Sequence, residues 1–104
     1  MVIQLNTDNN IQGTEALEAL VKEKINHELK YFADNITRIE VHLSDQNANK
    51  GGADDIHCKI EARLEGKQPV IVIGKDSSKE IALNEAADKM KAKLDSIIGK
   101  MRNN

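Results

Sequence analysis

His42 and His57, with Asp54 and Asp55 just ahead of the second, are the residues of this chain best suited to acid–base or metal chemistry. Such chemistry needs converging ligands, and two imidazoles beside loop carboxylates lack the spacing of a metal motif. Cys58 follows His57 directly, an order that suggests a thiolate–imidazole nucleophile. In an extended strand, however, adjacent side chains point to opposite faces, so the two cannot meet, and Cys58 reads as a core residue. Asp45-x-Asn47-x-Asn49 resembles the opening of a calcium loop. The glycine arrives one place late, at Gly51, and Ile56 stands where the bidentate Glu belongs. Gly51-Gly52 and Gly66 are turn glycines, and no phosphate-loop motif is present. These patterns argue against an enzyme and call for neither a metal nor a cofactor.

The basic residues of the last segment are a better lead. Lys89, Lys93 and Lys100 recur at four and seven, which on a helix places them on one stripe, while Lys91 and Arg102 fall on the other side of the apolar seam. Lys22 and Lys30 line up on an exposed side of an earlier helical segment. Such charges are ordinarily a solvated surface. They are also what a phosphate-contacting ridge requires.

The elements that would carry these residues follow from periodicity. Ile56, Cys58, Ile60, Ala62 and Leu64 alternate with His57, Lys59, Glu61 and Arg63, which predicts a strand with one covered and one wet face. Val2–Asn6 reads as a first strand, closed by the Asn/Asp cluster at 6–10. Thr14 is a fitting N-cap for a helix with Glu15 and Glu18 in its first turn. Leu17, Leu20, Val21, Ile25, Leu29 and Phe32 form its buried stripe, and Asp34-Asn35 ends it. Ile39, Val41 and Leu43, alternating with Arg38, Glu40 and His42, make a second strand, expected parallel to the first. A polar loop, Ser44–Asp54, leads to the central strand, and Glu65–Gln68 turns the chain back. Pro69 then opens Val70–Ile73, an edge strand because proline cannot donate to a ladder. All four of its residues are apolar, so either both faces are covered or one offers a small apolar patch to a partner. Ser77 with Glu80 has capping-box spacing, although Ser78 serves equally well. Leu83, Ala86, Ala87, Met90, Leu94, Ile97, Ile98 and Met101 mark the final helix. The expected architecture is α+β, in the order β-α-β-β-β-α, a four-stranded sheet with both helices on one face, over a single domain spanning residues 1–104.

Composition narrows the partners. Tyr31 and Phe32 are the only aromatics, so the stacking platforms of single-strand binders are missing. The net charge is −2, which argues against capture of nucleic acid by overall charge. Yet residues 1–74 hold 8 Lys/Arg against 12 Asp/Glu, and residues 75–104 hold 7 against 5, so basic character is local to the last segment. The lone Cys58 excludes an internal disulfide and fits a reducing cytoplasm. No signal peptide and no apolar run of membrane length is read.

The element order, the Asn-rich link before the first helix, and the pattern Ala82-Leu83-Asn84-x-Ala86-Ala87-Asp88-Lys89-Met90-x-x-x-Leu94 together resemble a known family. They are similar to the short ribosome hibernation-promoting factors, the ribosome-associated inhibitors once called sigma-54 modulation proteins. Asp88-Lys89-Met90 stands in place of the family's Asp-Lys-Leu, and Val41–Asp45 with Glu61–Leu64 looks like a divergent branch. The chain departs from the family at Lys79-Glu80, where members commonly carry an aromatic, and at Ala92, where an arginine is usual. The resemblance implies a cytoplasmic protein that binds the small ribosomal subunit, in the channel of messenger and transfer RNA, and silences idle ribosomes. It also implies a fold like double-stranded-RNA-binding domains, which read RNA shape. Lys89 matches the family motif; Lys22, Lys30, Lys91, Lys93, Lys100 and Arg102 join it as RNA contacts by position and charge. The competing expectation is a protein-interaction module without ribosome binding, using Val70–Ile73 for pairing or a weak homodimer.

Overall fold

A computed structural model describes residues 1–46 and 55–102, with side chains through Gly99. The Asn47, Asn49, Gly51-Gly52 and Asp54 positions of the loop patterns lie outside the described residues, as do the Lys100 and Arg102 side chains. The elements run β1 (Val2–Thr7), α1 (Glu15–Leu29), a 3-10 turn (Lys30–Asn35), β2 (Ile36–Asp45), β3 (Ile56–Leu64), β4 (Val70–Asp76) and α2 (Lys79–Arg102). The four strands form one mixed sheet in the order β1-β2-β3-β4, with β1 parallel to β2 and the other pairs antiparallel. This is the expected architecture, with β1 and β4 at the edges.

The period of two in the sequence becomes the burial of the sheet. Ile39, Val41 and Leu43 of β2, the five apolar residues of β3, and Val70 and Val72 of β4 are all buried on the face the helices cover. Val21, Ile25 and Leu29 of α1, with Phe32 just beyond it, and Leu83, Met90, Leu94 and Ile98 of α2 complete the core. Thr14 caps α1, its hydroxyl accepting from the Leu17 amide at 3.1 Å. At α2, Ser78 is the cap instead of Ser77: its Oγ accepts from the Ile81 amide at 3.4 Å, and Asp76 Oδ2 in turn accepts from the Ser78 amide at 2.8 Å.

Four expectations need correction. The α-helical part of the first helix stops at Leu29, and the chain tightens into a 3-10 turn that still carries Phe32 into the core. Leu20 is 40% exposed, so the buried stripe of α1 is narrower than its apolar residues suggest. Strand β2 begins at Ile36, because a bulge at Thr37 restores the inward direction of Ile36 opposite Leu64; the Thr37 hydroxyl donates to the Arg63 carbonyl at 3.1 Å. Strand β4 continues past Ile73 through Gly74 to Asp76. Of the two options left open for β4, covering of both faces is excluded: Ile71 and Ile73 lie on the uncovered face, 50% and 42% exposed.

Cys58 is fully buried on the helix side of β3, and burial pushes its thiol up from 9.0 to about 12. In the unfolded chain the thiol ionises near 9.0, while in the folded protein it stays protonated until about 12. The stability this contributes is whole below the first value and is lost as pH rises toward the second. The unfolding midpoint of the wild type should therefore fall more steeply across that alkaline window than that of Cys58→Val. Parallel slopes in thermal unfolding would contradict this.

Candidate nucleic-acid interface

Helix α2 is placed by a close approach to β4. A Cβ on Gly74 would lie 2.3 Å from the Ala82 carbonyl oxygen and 2.7 Å from the Ala86 amide nitrogen, so only glycine lets the helix backbone rest there. The small buried residues Ala82 and Ala86 are the helix side of that contact. Seated so, α2 lays Lys89 against the outer edge of β4. The Lys89 Nζ donates to the Ile73 carbonyl at 2.8 Å and pairs with Glu85 at 3.0 Å, while its side chain stays half exposed. Lys93, one turn on and on the same flank, is exposed and has no ion-pair partner among the described residues.

The remaining expected cations are spread over other surfaces. Lys91, on the opposite flank of α2, lines a groove of about 490 Å³ with Asp88, Asp95, Ala92, Phe32 and Tyr31. Two carboxylates of its own helix share that groove, although Lys91 forms no ion pair with either. Lys22 pairs with Glu18 at 2.9 Å on α1. Lys30 lies over the ring of Tyr31, 5.3 Å from its centroid, and the ring is 71% exposed. The structure thus joins Lys89 and Lys93 at the β4 edge and leaves Lys22, Lys30 and Lys91 elsewhere.

The uncovered sheet face holds charges that the sequence reading had not gathered into a site. On it, Arg38 stands opposite Arg63, Glu40 opposite Glu61, His42 opposite Lys59, and His57 opposite Lys75. The two arginines are neutralised where they stand: Arg63 Nε contacts Glu61 at 3.0 Å, and Glu40 lies 3.5 Å from Arg38 and 3.7 Å from Arg63. Arg38 also donates to the Gln4 side-chain carbonyl. Lys75 was missed because β4 was expected to stop before it. His42 and His57 do face the same way, but among the described residues no group of three or more His, Cys, Asp or Glu could hold a metal ion. No described helix is long and apolar enough to cross a membrane.

The family model for the Sigma 54 modulation protein / S30EA ribosomal protein matches residues 5–102, nearly the whole chain. This chain belongs to that family. Family membership makes it a ribosome-associated, non-catalytic regulator. No curated protein matches the chain in sequence. Among solved structures, the N-terminal domain of Protein Y from Thermus thermophilus is similar with a TM-score of 0.75 at 24% identity, covering 93% of this chain and 99% of that one. A ribosomal subunit interface protein from Coxiella burnetii is similar with a TM-score of 0.77 at 15% identity, covering 95% and 99%. At these identities the likenesses establish the fold of this S30EA-family chain.

Proposed function

We propose that this protein is a translation inhibitor of the hibernation type, which occupies the small ribosomal subunit by setting α2 cations on ribosomal RNA phosphates. The observation that carries the reading is the family match over residues 5–102, on a chain whose α2 carries Lys89 and Lys93 along one flank. Inhibition on this reading is steric occlusion plus charge complementarity and needs no bond-making step. A cytoplasmic location follows from a ribosomal partner. The ion pairs of Lys22 and Lys89 do not oppose RNA contact, because exposed pairs are worth only about 0–1 kcal/mol and can be exchanged for a phosphate. Lys30, Lys91, Lys100 and Arg102 belong to the same proposal as flanking contacts. Co-sedimentation with small subunits over a salt series, set out at the end of the Discussion, tests it.

A second reading, self-pairing through β4, is favoured by Ile71 and Ile73 standing exposed side by side at a sheet edge. Lys89 opposes it, since its ammonium occupies the Ile73 carbonyl that a second strand would need. Sedimentation equilibrium distinguishes the two. The wild type should hold a monomer mass as concentration rises, and Lys89→Met should gain a concentration-dependent dimer. Wild-type dimerisation abolished by Ile71→Lys would favour the second reading.

A further inference from the structure

The cations with no internal partner are not confined to α2. On the uncovered sheet face, Lys59 and Lys75 are exposed, sit at diagonal positions across β3 and β4, and form no ion pair among the described residues. His42 and His57 stand directly opposite them, half-buried, with imidazole nitrogens able to donate. Side chains so paired lie about 4.5–5.5 Å apart at Cβ, close enough to act on one ligand. At this end of the face the alternating positions within the strands hold Asn6, His42, Ser44, His57, Lys59, Ile73 and Lys75, and the carboxylates of Asp8 and Asp55 come just past the ends of β1 and β3, with Asp8 accepting from the Asp45 and Asn10 amides. The other end has Arg38 and Arg63 tied to Glu40 and Glu61. One sheet face therefore carries a neutralised half and a cationic half.

The cationic half is continuous with α2. Ile73 faces Lys59 in the β3–β4 register, and its carbonyl receives Lys89 from the other side of the edge. Lys93 and Lys89 on the helix, then Lys59 and Lys75 on the sheet, form a belt around β4. A globular partner would meet this belt on one side only. A phosphodiester chain can follow it round the edge, since each phosphate needs only a local cation or donor.

We infer that the end of the open sheet face formed by His42, His57, Lys59 and Lys75 is a second RNA-backbone contact, reached by a strand that rounds β4 from α2. The contact is sequence-independent, because Lys and His present point charges and single donors with no bidentate match to a base edge. The inference rests on the ribosomal-RNA reading above.

The test compares two double variants that remove equal charge from the same face. Lys59→Gln/Lys75→Gln strips the unpaired cations; Arg38→Gln/Arg63→Gln strips the neutralised ones. Binding of each to purified small ribosomal subunits is measured from low to high salt. The lysine variant should lower the slope of log K against log salt by about 1.4 to 1.8, the loss expected for two phosphate contacts. The arginine variant should keep the wild-type slope, with both variants showing wild-type circular dichroism. Equal effects of the two, or no effect of the lysine variant while Lys93→Glu still weakens binding, would overturn the sheet contact and leave the α2 reading standing. Wild-type protein that fails to bind at low salt would overturn both. Hydroxyl-radical cleavage of the bound RNA should show backbone protection that the lysine variant loses. Weakened binding with an unchanged cleavage pattern would assign the patch to an acidic protein partner and overturn the RNA contact.

Discussion

Gly74→Ala should unfold at a temperature lower by on the order of ten degrees or more. The added methyl would sit 2.3 Å from the Ala82 carbonyl oxygen and 2.7 Å from the Ala86 nitrogen, and both are helix backbone that cannot turn aside as a side chain can. The whole helix has to lift, which opens the packing of Leu83, Met90 and Leu94 against β3 and β4. Overpacking costs about 1–3 kcal/mol in ordinary cores and more where backbone must move. For a domain of this size each kcal/mol shifts the midpoint by roughly 4–8 °C. Gly99→Ala is the matched control. Its Cβ would meet nothing within 4 Å, and inside α2 the exchange should stabilise by up to about 1 kcal/mol. Thermal unfolding followed by circular dichroism gives both numbers. Equal midpoints for the two variants would mean that α2 does not rest on Gly74. The same substitution should weaken ribosome binding, since it displaces the helix that holds Lys89 on the Ile73 carbonyl.

The second large effect is expected from reversing charge on α2. In Lys89→Glu/Lys93→Glu/Lys100→Glu the two cations on the β4 flank, and a third that shares their stripe by sequence spacing, become carboxylates. If each holds a phosphate, the slope of log K against log salt falls by about 2 to 3, and repulsion adds to the loss at low salt. Lys91→Glu should do less, because Asp88 and Asp95 already share its groove. The triple variant also gives up the Lys89 contacts with Ile73 and Glu85, each worth about 0–1 kcal/mol, so circular dichroism and thermal unfolding are measured beside binding. A triple variant that folds as the wild type but has lost its binding would separate the function of α2 from its packing.

Strand β3 was legible residue by residue, because nine alternating residues between two partners leave one register that buries Cys58 and turns His57 to the open face. The core stripe of α2 was legible for the same reason. The end of α1 was not. Phe32 continues the helical spacing while the backbone has already tightened into a 3-10 turn, and side-chain periodicity does not register that change. Gly74 misled in a different way. In a sequence it reads as the end of a strand, and here it is a strand residue whose missing side chain admits a helix. Lys75 was lost with it, and with Lys75 the cationic half of the open face. The hydrogen bond from Lys89 to Ile73 joins residues sixteen apart in the chain, and only the seating of α2 on β4 brings them together.

Sedimentation of the purified protein with small ribosomal subunits across a salt series tests the central claim most directly. The account predicts binding at low salt that weakens steeply as salt rises, and a triple α2 variant that stays in the supernatant throughout. Wild-type protein that remains unbound at low salt, or that binds with no dependence on salt, would contradict it.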